Sequence, residues 1–152
     1  MESLVELGLV RNIGVSNCPC ALLANLLANC KIPPCINQIE LNPYLTQAES
    51  VRFHKEVGVG LTAYSPFGNP GYHKDESLFH EQVLIDIAAK IGATVPQVIL
   101  RWNLQRGVIV IPKTLNKDRL KENLDAQKIE LSQDDMDAIS ALNKNLRKCD
   151  PI

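Results

Sequence analysis

The chain has 152 residues, enough for one domain with a core of its own and short for two. Its hydrophobic share of 45% and charged share of 22% belong to a folded globular protein, not a disordered one. Sixteen Lys+Arg against seventeen Asp+Glu leave a net charge of -1, so no overall field draws nucleic acid or an anionic lipid surface.

The longest apolar run is five residues, Cys20 to Ala24, against the roughly 18 a bilayer span needs. Met1 to Glu6 is acidic and amphipathic and does not read as a signal peptide. A cytoplasmic address is expected. Five cysteines, at 18, 20, 30, 35 and 149, contain no CxxC pair. They read as reduced thiols. A metal site is disfavoured, because C-x-C and C-x4-C match no common zinc spacing and His54, His73 and His80 lie downstream without i,i+4 pairing.

Short β-rich runs alternate with helical periods along the chain. Asn12 to Ser16 reads as a strand, and Pro19 to Asn29 as a helix with an apolar stripe at 22, 23, 26 and 27. After Pro33-Pro34, Cys35 to Ile39 is a second strand, and Thr46 is expected to cap a helix through Val57. Leu61 to Tyr64 is a third strand, followed by a polar loop from Ser65 to Ser77. His80 to Ile91 and Val95 to Gln105 read as helices, the second with Pro96 in its first turn. Val108 to Ile111 is a fourth strand, apolar on both faces as a buried parallel strand would be. Asn116 caps a helix through Ala126, and Ser132 with Asp135 opens the last one.

Strands joined by helices, without hairpin signals, run parallel. Their ends near Ser16, Gln38, Tyr64 and Lys113 are 22, 26 and 49 residues apart. A (βα) unit of an eight-stranded barrel takes about 30 residues, so two gaps fit one unit each and the third holds two helices. Four such strands fit half of an α/β barrel or a small open α/β sheet.

Four blocks occur in one order: Gly8 to Asn17 (GLVRNIGVSN); Asn37 to Glu40 with Pro43-Tyr44; Thr62 to Pro66; and Ile111 to Thr114 with Arg119, Glu122 and Asn123. Together they resemble the aldo-keto reductases, NADP-dependent oxidoreductases built on a TIM (β/α)8 barrel. The resemblance spans nearly the whole chain. It implies that residues 1–152 are the C-terminal part of that domain, a half barrel of strands five to eight. The family's catalytic Asp, Tyr, Lys and His belong to the first four strands, so the resemblance assigns no catalytic residue here. The family reduces small-molecule aldehydes and ketones with NADPH. The chain alone is therefore expected to be inactive, and the alternatives are a non-catalytic NADP-binding regulator or an inactive truncated product. Open strand edges would favour self-association.

What the resemblance carries over is a cofactor site. Ser16, Asn17 and Gln38 correspond to residues that hold the nicotinamide carboxamide, and Tyr64 to one that stacks on the nicotinamide ring. Ser65 to Asn69, including Phe67, corresponds to the loop over the pyrophosphate. Lys113, Thr114 and Arg119 correspond to the adenosine phosphate site, and Glu122 and Asn123 to the adenine contacts. The residues themselves allow this. Polar side chains at the ends of adjacent strands can converge on one ligand. Arg119, Glu122 and Asn123 share one helical face, and Lys113 to Lys128 holds five basic and three acidic residues. Each block also has an ordinary reading: turn chemistry for Ser16-Asn17, an interior tyrosine for Tyr64, and a solvated, ion-paired face for the last helix. Trp102 is expected to pack inside rather than touch a substrate.

Overall fold

The computed structural model describes residues 1–68 and 77–149. In chain order, α1 (Glu2–Glu6) precedes β1 (Gly14–Ser16), α2 (Cys20–Asn29), β2 (Ile36–Glu40), α3 (Ala48–Val57) and β3 (Gly60–Tyr64). A 3-10 turn (Leu78–His80) then leads to α4 (Gln82–Ile91), α5 (Val95–Gln105), β4 (Val108–Val110), α6 (Lys117–Asp125), a second 3-10 turn (Ala126–Lys128) and α7 (Gln133–Ser140). The four strands form one parallel sheet in the order β1-β2-β3-β4.

Register divides the side chains between two faces, because paired residues point to the same side. Asn37, Ile39, Leu61, Ala63 and Val108 face the helices and are buried. The opposite face carries the row Ser16, Gln38, Thr62 and Ile109, with Glu40 and Tyr64 in the next row toward the strand ends. Ile36 is tightly flanked on this face. A Cβ at Gly14 would lie 2.5 Å from Ile36 Cγ2, and one at Gly60 2.8 Å from Ile36 Cδ1. The branched side chain fits because both neighbouring strands carry glycine opposite it.

The long connection between β3 and β4 packs α4 and α5 over the helix-covered face. Thr94 and Gln97 form a capping box with Pro96 in the first turn, which starts α5 where the sequence places it. The helix buries Val98, Ile99, Leu100, Trp102 and Asn103. Trp102 is fully buried, as expected, and its Nε1 donates to Ser140 Oγ at 3.1 Å. The Arg106 guanidinium lies 4.2 Å from the centre of the Trp102 ring and donates to the Thr46 carbonyl at 2.6 Å. Burial lowers its pKa to about 10. Ser132 and Asp135 cap α7 reciprocally, and Lys90 ties that cap to α4 at 2.9 Å from Asp135 Oδ1.

Three expectations are corrected. Thr46 does not cap α3: its carbonyl accepts from Arg106 and its N–H donates to Asn143, so Gln47, with φ 45, opens the helix without a side-chain cap. The helix expected from His80 begins at Gln82. Glu81 is extended there, and its carboxylate accepts from the Tyr44 hydroxyl and the Lys144 ammonium, which hold it below the usual carboxylate range. Finally, β4 is not buried on both faces. It is an edge strand, with Ile109 52% and Ile111 45% exposed.

The segment after α7 returns across the C-terminal ends of the strands. Lys144 N and Leu146 N both donate to the Tyr44 carbonyl, at 3.0 and 3.1 Å. Lys148 N and Cys149 N donate to the carboxylate of Glu40, a fully buried residue, the latter at 2.9 Å. A buried carboxylate needs such donors to replace lost water.

Candidate cofactor site

The sheet brings Ser16, Asn17, Gln38 and Tyr64 together. Register sets Ser16 beside Gln38, and the Gln38 carbonyl accepts from Ser16 Oγ at 3.0 Å and from Asn17 N at 2.8 Å. At Asn17 the backbone turns left-handed, with φ 52, a conformation asparagine tolerates better than most residues. The turn aims its side chain across two strands, where Asn17 Oδ1 accepts from the Tyr64 hydroxyl at 3.0 Å. Burial pushes the Tyr64 pKa up, with Cys149 and Glu40 acting in the same direction. The phenol therefore stays neutral and its proton is committed to Asn17. Ser16 and Asn17 open onto a cleft of about 690 Å³ that Cys18, Gln47, His54 and Arg147 also line. Burial raises the Cys18 thiol pKa as well, which makes it a weak nucleophile. Among the described residues no group of three His, Cys, Asp or Glu side chains could hold a metal ion.

At the other edge of the sheet, Lys113, Thr114 and Arg119 gather around α6. Together with Leu115 and Asn116 they line a concavity of about 470 Å³ that contains no carboxylate. Asn116 Oδ1 accepts from the N–H groups of Asp118 (2.8 Å) and Arg119 (3.1 Å), and Thr114 Oγ1 accepts from Asn116 N at 3.1 Å. These bonds fix the turn that presents the two cations. The ion-paired reading holds for the far side of α6, where Asp125 takes Lys121 at 2.8 Å and Lys128 at 2.6 Å. Those two partners lower the Asp125 pKa to about 2. Among the described residues Lys113 and Arg119 form no ion pair, so their charge is available to an anion.

A second cleft, of about 460 Å³, joins Lys113, Thr114 and Arg119 to Glu122 and Asn123 and is closed by Phe67, Phe79, Val95 and Pro96. The Phe67 and Phe79 rings lie 5.5 Å apart at 54°. Glu122 does not stand free: its carboxylate accepts from the Thr94 hydroxyl and its carbonyl from Gln97 Nε2 at 3.1 Å. Phe79, Val95 and Pro96 are site residues that the sequence reading missed. The packing of the α5 start against α6, and of the Phe79 ring against Phe67, reveals them, and no sequence spacing encodes either contact. Ser65, half-buried with φ 47, turns the chain out of β3 toward Phe67. Asn69 lies outside the described residues. Twelve residues were expected to form the site. Four meet at the strand ends, Phe67, Lys113, Thr114, Arg119, Glu122 and Asn123 meet at the β4 edge, and Ser65 stands between the groups.

A polar cluster at parallel strand ends and a cationic, aromatic-walled cleft at one edge invite comparison with known barrels. The aldo/keto reductase family profile matches residues 1–144. Aldose reductase B of Dictyostelium discoideum is 46% identical over 151 residues, 99% of this chain and 47% of that protein. An NAD(P)H-dependent pentose reductase of Pyricularia oryzae is 43% identical over 164 residues, 99% of this chain and 50% of its own length. A silkworm (Bombyx mori) aldo-keto reductase complexed with NADPH superposes with a TM-score of 0.93 at 35% identity, covering 99% of this chain and 47% of that one. The chain thus spans about half the length of these relatives, and its four-stranded parallel sheet matches about half of their barrel rather than an unrelated open sheet. With the profile, the relatives and the superposition in agreement over nearly every residue, the chain belongs to the aldo/keto reductase family.

Proposed function

We propose that this chain is the cofactor-binding, C-terminal portion of an NADP(H)-dependent reductase of aldehydes and ketones, strands five to eight of the barrel. The observation that carries the reading is the carboxylate-free concavity of Lys113, Thr114 and Arg119, continuous with an aromatic-walled cleft holding Glu122 and Asn123. A dianionic ribose phosphate fits a hydroxyl and two cations that form no ion pair among the described residues, and a planar adenine fits between apolar walls and two groups able to exchange hydrogen bonds with its edge. At the strand ends, Ser16 and Asn17 line the cleft and Gln38 pairs with Ser16 in register, so that their hydroxyl and amide groups would serve a carboxamide, and Tyr64 offers a ring held in place by Asn17. When bound, NADPH supplies the hydride. These residues bind and orient the cofactor, and the turn at Ser65 leads the chain from the strand ends toward Phe67 in the second cleft. None of them is placed to protonate a carbonyl oxygen, since the Tyr64 proton is spent on Asn17. Pentose and aldose reductases among the relatives favour a small carbonyl substrate, delivered to a site that this chain only half encloses.

Titration of the purified chain with NADP+ and NAD+, followed by calorimetry, tests the reading. Preference for NADP+ is the expected result. Binding of neither dinucleotide, or of both equally, would remove it and leave an inactive truncated product as the better description.

A further inference from the structure

Behind the turn that carries Asn17 lies a buried polar chain that touches no cleft residue of the phosphate end. Asn37, on the helix-covered face of β2, is fully buried, and His54 on α3 is 2% exposed. Asn37 Oδ1 accepts from Cys18 N at 3.3 Å, while its Nδ2 donates to the Cys18 carbonyl at 2.8 Å and to His54 Nε2 at 2.9 Å. One side-chain amide thus grips both backbone groups of the residue after Asn17. His54 Nδ1 stands 2.7 Å from the Ser50 carbonyl, which can only accept. The ring proton is therefore on Nδ1, and Nε2 is an acceptor. That tautomer forces the orientation of Asn37. A flipped amide would set its oxygen against the Cys18 carbonyl and the Nε2 lone pair, two repulsions between buried groups.

We propose that Asn37 and His54 are positioning residues for nicotinamide recognition: His54 orients Asn37, Asn37 clamps Cys18, and the clamp holds Asn17 left-handed with its side chain turned to Tyr64. The inference rests on the cofactor reading above and deepens it at one end only. Neither residue contacts the phosphate cleft, so their influence stops at the nicotinamide half of the dinucleotide. Asparagine tolerates positive φ better than most residues, and the clamp on the next residue's backbone adds to that tolerance by fixing the turn at one conformation.

The test compares two ligands on the full chain: NADP+, which spans both ends, and adenosine 2′,5′-bisphosphate, which reaches only the phosphate and adenine cleft. Asn37→Leu is expected to weaken NADP+ about tenfold, the order of one lost hydrogen bond, with the bisphosphate changed less than about twofold. His54→Phe keeps an aromatic ring but removes the orienting acceptor together with the Nδ1–H bond to the Ser50 carbonyl, and is expected to weaken NADP+ about threefold with the same selectivity. Equal losses for both ligands, or no loss for either, would overturn the proposal. Amide hydrogen exchange supplies an arm that needs no ligand. Exchange at Asn17 and Cys18 should accelerate in Asn37→Leu while the α5 amides keep their rates. If the wild-type chain binds neither ligand, the cofactor reading has failed, and unchanged exchange at Asn17 and Cys18 would then sink the positioning role separately.

Discussion

The two ends of the candidate cofactor site are built in opposite ways. At the strand ends, residues 17, 38 and 64 are joined by hydrogen bonds between separate strands, and a buried amide and imidazole stand behind them. At the β4 edge, Lys113, Thr114 and Arg119 lie within one turn and the start of one helix, fixed by local capping and largely exposed. One end gains geometry from tertiary packing, the other gains charge from a short stretch of sequence. The first suits a neutral, directional group; the second suits an anion and tolerates looseness.

The largest expected effect separates both ends from chemistry. On the proposed reading neither supplies a proton donor to a carbonyl, so the chain alone should give no oxidation of NADPH with a reactive aldehyde, followed by NADPH absorbance. Co-folding with the first half of a relative's barrel should restore turnover, general acid catalysis alone contributing about 10²–10⁴-fold. Turnover by the chain alone that vanishes in Tyr64→Phe would break the comparison. Next in size, Arg119→Ala should cost NADP+ about 1.5–3 kcal/mol of binding, as for one charge-assisted hydrogen bond, and leave NAD+ almost unchanged. Equal losses would mean that the β4 edge does not read the phosphate.

A smaller effect concerns association. The exposed edges of β1 and β4, with Ile109 and Ile111 on the uncovered face, should make the chain self-associate and unfold with a concentration-dependent midpoint. A monomer with a sharp midpoint independent of concentration would contradict this. The smallest expected effect is a titration on the far side of α6. The Asp125 pKa is lower in the folded chain than in the unfolded one, so its ion pairs contribute above the usual carboxylate pKa and fade as pH falls toward about 2. A carboxylate shift midpoint near 4 by NMR would show that Lys121 and Lys128 do not hold it.

The same contrast explains what could be read from sequence. Lys113 through Asn123 is local: a cap, a helical face and two cations are all visible in eleven consecutive residues. The α5 start at Thr94 and Pro96 and the α7 cap at Ser132 and Asp135 are legible for the same reason. The aromatic wall at Phe79 and the Thr94 to Glu122 bond are not, because they depend on how α5 meets α6. Asn37 and His54 look like an ordinary strand residue and an unremarked histidine until the fold sets them 2.9 Å apart. Val108 to Ile111 misled for a physical reason: an apolar run states what a strand can bury, and its neighbours decide whether it does.

The returning segment over the strand ends is docked through main-chain N–H groups, at 144 and 146 to the Tyr44 carbonyl and at 148 and 149 to Glu40, and through the side chains of Asn143, Lys144 and Leu146. Its route is therefore written in large part in Tyr44 and Glu40, outside the segment, and Arg147 stands apart from these docking contacts. Such a division lets residues such as Arg147, which faces the cleft beside Ser16 and Asn17, be exchanged without moving the path of the chain. A wall of the site can change its chemistry by substitution while its shape is inherited from residues a hundred positions upstream.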